Sequence, residues 1–76
     1  MIHITLHPSE SLFFLDTDKI CVARELYLDR QNKTVRVITS VKDKTYPADN
    51  IGAMRQLYDG SVFQAPICEF DFLDEF

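Results

Sequence analysis

His3, His7, Cys21 and Cys68 are the residues of this chain that could ligate a metal, and Ser9 and Ser11 beside His7 could suggest a nucleophile with its base. Their spacing argues against both. Positions four apart on an extended strand lie about 13 Å from each other, whereas zinc holds its nitrogen ligands about 2 Å from one centre. His3 and His7 therefore cannot share an ion on a straight strand, and Cys21 and Cys68 show no paired ligand spacing. Cys21 lies in an apolar stretch, where burial raises a thiol's pKa and dulls it as a nucleophile. No glycine-rich elbow or oxyanion loop accompanies the serines. Gly52 and Gly60 are the only glycines, too few for a phosphate-cradling loop. Asp16 and Asp18 are turn formers before they are acid–base partners. Met54, Leu57 and Tyr58 fall at the spacing of a helical core face, not of a cofactor box. These residues lead to the expectation of a non-enzyme with no metal and no cofactor.

The charges are more informative. The chain has 76 residues and a net charge of −4. The last eight positions carry Glu69, Asp71, Asp74 and Glu75 and no base, while residues 1–68 hold eight bases and eight acids. All of the net charge thus belongs to the carboxyl end. Residues 19–44 hold seven bases against three acids, so a basic middle faces an acidic, aromatic end.

The elements that must position these groups read mostly as strands. Ile2, Ile4 and Leu6 alternate with His3 and Thr5, the pattern of a half-buried strand. A turn at 7–11 follows, where Pro8 lacks an amide hydrogen. Leu12 to Leu15 reads as a buried strand and 16–19 as a turn. Ile20 to Asp29 reads as one strand with Ile20, Val22, Leu26 and Leu28 on a shared face. Residues 29–33 form a hairpin loop, and Thr34 to Val41 returns with Val35, Val37 and Val41 on one side. Lys42-Asp43-Lys44 turns the chain, and Thr45-Tyr46 adds a short extended piece.

Residues 47–59 carry the signals of a helix. Pro47 suits a first turn, Asp49 and Asn50 suit a cap, Ile51, Met54 and Tyr58 follow i, i+3, i+7, and Gly60 supplies the stop. Gly52 inside such a helix would cost roughly 1 kcal/mol relative to alanine. Ile67 to Phe72 alternates Cys68, Phe70 and Phe72 against Glu69 and Asp71, a last edge strand that Pro66 would begin. The expected fold is α+β: one domain over 1–76, a small antiparallel sheet of four or five strands with one helix packed on it, and an acidic aromatic segment at 69–76.

The longest apolar run is Leu12 to Leu15, far below the roughly 20 residues a membrane helix needs. The first residues lack the pattern of a signal peptide and neither end shows a lipidation motif, so the expectation is a cytoplasmic protein with reduced cysteines.

Three function classes fit. The first is a small non-catalytic protein that binds a larger protein partner as inhibitor, adaptor or regulator. Glu69, Asp71, Leu73, Asp74, Glu75 and Phe76 would present carboxylates and apolar groups to a basic or apolar groove. The second is a nucleic-acid-binding β-hairpin in which Arg30, Lys33 and Arg36 meet phosphates and Tyr27 stacks, a reading the overall acidity opposes. The third is a small structural subunit that homodimerises through edge strands.

Overall fold

The computed structural model describes residues 1–75. Eight strands form two four-stranded antiparallel sheets. They are β1 (Ile2–Thr5), β2 (Glu10–Phe14), β3 (Ile20–Cys21), β4 (Glu25–Asp29), β5 (Thr34–Ile38), β6 (Asp43–Pro47), β7 (Ile51–Gln56) and β8 (Val62–Pro66). One sheet has the order β1-β4-β5-β6 and the other β3-β2-β7-β8. The fold is therefore mostly β, and the expected α+β architecture with a helix over 47–59 is wrong.

Residues 47–59 show why. The segment ends β6, passes through a single 3₁₀ turn at Ala48–Asn50, and becomes β7, which pairs with β2 on one side and β8 on the other. Ile51 and Ala53 point into the core and are fully buried. Tyr58, the far end of the expected apolar helical stripe, is fully exposed. The true period is two, not 3.6. Helix-favouring residues such as Ala53, Met54, Arg55 and Gln56 occupy a central strand because pairing on both edges outweighs a local preference worth only tenths of a kcal/mol per residue. Gly52 has a packing role here. It lies directly opposite Phe13 of β2, and an added Cβ would come within 2.4 Å of the ring's Cζ. Gly60, expected as a helix stop, instead shapes the β7–β8 turn at φ +89°, where Leu57 N–H donates to the Ser61 carbonyl at 2.7 Å.

Two further strand readings change. The expected strand Ile20 to Asp29 divides between the sheets: β3 pairs with β2, and β4 pairs with β1 and β5. Leu26 and Leu28 are buried, but Ile20 and Val22 stand exposed at an edge. The last strand is Val62–Pro66, so Pro66 closes it instead of beginning it, and Ile67–Glu69 is a 3₁₀ turn. The hairpin loop falls where its residues place it. Asp29 pairs with Thr34, Lys33 takes φ +55°, and the Asp29 carboxylate accepts from the Asn32 backbone and side-chain amides at 3.1 and 2.8 Å. That side-chain hydrogen bond holds the Asp29 carboxyl below the ordinary aspartate pKa.

The core lies between the sheets. Ile4, Leu26, Leu28, Val35 and Val37 come from one sheet, and Leu12, Ile51 and Ala53 from the other. Ile67, Phe70 and Phe72 of the carboxyl-terminal segment complete it. No helix among the described residues is long and apolar enough to cross a membrane.

Candidate protein-binding surface

The acidic carboxyl-terminal segment is bound to its own domain by alternate side chains and by its backbone. Phe70 is fully buried, Phe72 nearly so, and their ring centroids lie 4.8 Å apart. Phe63 of β8 lies against Phe70 at 5.7 Å. Burying a large side chain of this kind is worth about 1.5–3 kcal/mol, enough to hold a segment that has no sheet partner.

Two arginines then clamp the main chain. Arg30, in the β4–β5 hairpin, donates from Nε to the Cys68 carbonyl at 2.9 Å and from Nη2 to the Phe70 carbonyl at 3.0 Å. The same Nη2 meets Glu75 Oε1 at 2.6 Å. Arg55, on β7, donates to the Asp71 carbonyl and, at 3.0 Å, to Glu10 Oε2, while its guanidinium covers the Phe70 ring at 4.9 Å.

The Glu10 side chain is wholly buried. Besides the Arg55 contact, its carboxylate accepts the His7 amide at 2.9 Å and the Leu73 amide at 3.1 Å. A carboxylate removed from water is tolerated because three donors, one of them a cation, surround it. Arg55 Nε is buried and has no partner among the described residues. The segment thus bridges the two sheets, tied to the hairpin of one and to β2 and β7 of the other.

This places the expected site residues individually. Glu69, Asp71, Leu73 and Asp74 face outward, with Leu73 51% exposed. None of these three carboxylates forms an ion pair among the described residues. Glu75 is half-buried and paired to Arg30, so it serves the clamp. Phe76 lies outside the described residues.

The basic hairpin residues are largely engaged within the chain. Arg30 turns toward the carboxyl-terminal segment. Arg36 pairs with Asp43, with Nε to Oδ1 at 2.7 Å, and this bond holds the Asp43 carboxyl below its ordinary pKa. Tyr27 stacks on His3 at 4.6 Å and carries the Arg36 guanidinium at 5.6 Å, so its ring is already occupied. Lys33 stands exposed on the loop.

The residues first considered for chemistry are dispersed. His3 stands 3.6 Å from Glu25. His7 Nδ1 lies 2.8 Å from Ser9 Oγ and accepts the Ser9 amide at 3.1 Å, which braces an exposed turn. Cys21 is buried, Cys68 half-buried, and both are free thiols. Among the described residues no group of three or more His, Cys, Asp or Glu could hold a metal ion.

Glu10 and Arg55 are the buried pair supporting this surface that sequence reasoning overlooked. The signal was parity. Glu10 shares its strand face with Leu12 and Phe14, so its carboxylate had to point at the core and find a cation there. Nothing in the spacing, 45 positions apart, indicated Arg55 as that cation.

No protein-family model, curated protein or solved structure matches the chain.

Proposed function

We propose that this chain is a small non-catalytic binding protein that engages a larger protein partner through the acids of its carboxyl-terminal segment. One observation carries the reading. The segment is fastened by its carbonyls and by Phe70 and Phe72, which leaves Glu69, Asp71, Leu73 and Asp74 projecting from a rigid support. A pre-ordered surface loses less conformational freedom on association, and its carboxylates steer it toward a basic groove. Leu73 supplies the apolar contact at the centre of the acids. Two unpaired cysteines agree with a reducing compartment, and a cytoplasmic location is part of the same proposal.

The test is retention of a protein from host lysate by the full chain and by the variant Glu69→Gln/Asp71→Asn/Asp74→Asn. The substitutions remove charge at exposed positions and leave the clamp intact, so both proteins should melt alike. The expected result is salt-sensitive, stoichiometric retention by the unsubstituted chain, reduced about tenfold or more in the variant. Equal retention by both would show that these acids play no part.

A second reading, homodimerisation, is favoured by one edge of the second sheet. β8 reads Val62-Phe63-Gln64-Ala65-Pro66, carries no charge, and exposes Val62 and Phe63. Uncharged open edges pair readily with a second copy. The hydrogen bond from Leu57 N–H to Ser61 O sets the alternation that turns the Gln64 backbone away from β7. Light scattering should then give twice the 8.8 kDa chain mass, and Gln64→Lys should return the protein to the monomer mass. A monomer at every concentration for the unsubstituted chain would eliminate the dimer.

A further inference from the structure

The carboxyl-terminal segment seals the sandwich where Arg30 and Arg55 hold it, but the free edges of β3 and β6 stay apart. Between them lies an open apolar cleft of about 350 Å³. Phe14, Val37 and Tyr46 form its floor. Ile20, Val22 and Val41, three of the most exposed apolar side chains in the protein, stand at its rim. Water-facing aliphatic groups gathered around a concavity mark an interaction site more often than scattered ones do.

Its charge is the second observation. Lys42 and Lys44 line the cleft, and among the described residues no carboxylate does. Asp43, between them in sequence, points to the opposite face of β6, where Arg36 holds it. Neither lysine forms an ion pair among the described residues, and the Lys44 ammonium sits 5.1 Å above the Tyr46 ring. In a protein whose net charge is −4, this is a local cationic surface.

The backbone is the third. Thr39 N–H donates to Lys42 O and Ala48 N–H to Lys33 O, both at 2.8 Å. With the register Val35↔Tyr46 and Val37↔Lys44, the ladder uses every second residue of β6. Asp43 and Thr45 therefore turn their amides and carbonyls away from β5, along an edge that no other strand covers.

We propose that this cleft docks an extended acidic segment of a partner protein. The segment adds a strand to β6 through the free backbone groups of Asp43 and Thr45. It seats an apolar side chain among Ile20, Val22 and Val41 and sets its carboxylates against Lys42 and Lys44. Strand addition of this kind draws affinity from main-chain hydrogen bonds and specificity from the pockets beside them. The site is separate from the acidic surface, since no described residue beyond Tyr46 lines it.

An array of hexapeptides permuting acidic, basic, neutral and apolar residues, with the tightest binder measured by fluorescence anisotropy on the full chain, tests this. Acidic peptides with at least one large apolar residue should be selected. Lys42→Glu/Lys44→Glu should weaken the tightest binder on the order of tenfold or more. Thr45→Pro should do the same through the backbone, since it removes an outward amide and leaves the β5 ladder whole. In a Cys68→Ser chain the bound peptide should also slow alkylation of Cys21, which lies in the cleft wall and whose thiol burial already pushes up in pKa. Each variant is first shown to keep its melting transition. Selection of neutral or basic peptides would overturn the proposal, as would equal affinity after both substitutions. Tighter binding of single-stranded oligonucleotides than of any peptide, or a change in oligomeric state as the sole effect of the lysine variant, would overturn it as well.

Discussion

Replacing Arg55 with methionine should cost about 3 kcal/mol or more, the low end of what removing one member of a buried ion pair costs. Domains hold roughly 0.05–0.15 kcal/mol per residue, so for this length the loss is a large share of all the stability there is. Three effects combine. The Glu10 carboxylate, with no exposed side-chain surface, loses the cation paired with it and, among the described residues, keeps the His7 and Leu73 amides. The Asp71 carbonyl loses its donor, and Phe70 loses the guanidinium that covers its ring. Chemical denaturation should show the lower midpoint, and amide exchange should show residues 67–75 opening first. Adding Glu10→Gln to Arg55→Met should restore part of the loss, because a neutral amide needs no counter-ion and its carbonyl still accepts a backbone N–H. A midpoint within about 0.5 kcal/mol of the parent for Arg55→Met, the range of an ordinary surface change, would show that the clamp is not structural.

Gly52→Ala should destabilise by about 1–3 kcal/mol, the usual cost of forcing extra volume into a packed site. The sign is what makes the measurement decisive. In a helix, the same substitution would stabilise by roughly 1 kcal/mol. In β7 the new methyl carbon would stand 2.4 Å from Phe13 Cζ and 2.8 Å from Cε1, nearer than carbon atoms approach. The ring is the far end of a side chain, so it will swing away and lose its cover over the glycine instead of blocking folding outright. In a Phe13→Leu background the penalty should therefore shrink, giving a coupling between two residues directly paired across β2 and β7. Thermal melts of the four proteins supply the cycle. Stabilisation by Gly52→Ala in the parent would return residues 51–56 to the helical reading.

These two sites also mark where local sequence logic failed and why. At Gly52 the competing signals were all local: a proline at the first turn, Asp49 and Asn50 near the start, apolar groups at i, i+3 and i+7, and a glycine at the end. Each is worth a kcal/mol or less. A strand hydrogen-bonded on both sides, with Ile51 and Ala53 in the core, outweighs their sum. At Arg55 the difficulty was distance along the chain. The half of the constellation that strand parity reveals is Glu10; its partner is found only when β2 and β7 lie side by side.

The carboxyl-terminal segment lies between these cases. Its charge and its alternation of phenylalanines with acids are properties of adjacent residues. The alternation sets Phe70 and Phe72 against Glu69 and Asp71, and in the structure both rings are buried with Glu69 and Asp71 exposed. That the segment would be a paired strand did not follow, because pairing needs a free neighbouring edge, and the chain instead hangs its carbonyls on Arg30 and Arg55.

By itself, then, the amino-acid order determined what depends on neighbours: the alternating strands at 2–5 and 34–38, the 29–33 loop, and the concentration of anions at one end. Three-dimensional packing alone decided what depends on residues remote in the chain. It divided 20–29 between two sheets, converted the apparent helix into a central strand, and drew Arg30 and Arg55 onto the last residues. It also left Lys42 and Lys44 facing an open apolar cleft. Side-chain period is encoded within a few residues, whereas the partner of an edge, a charge or a ring is chosen only when the two sheets close on one another.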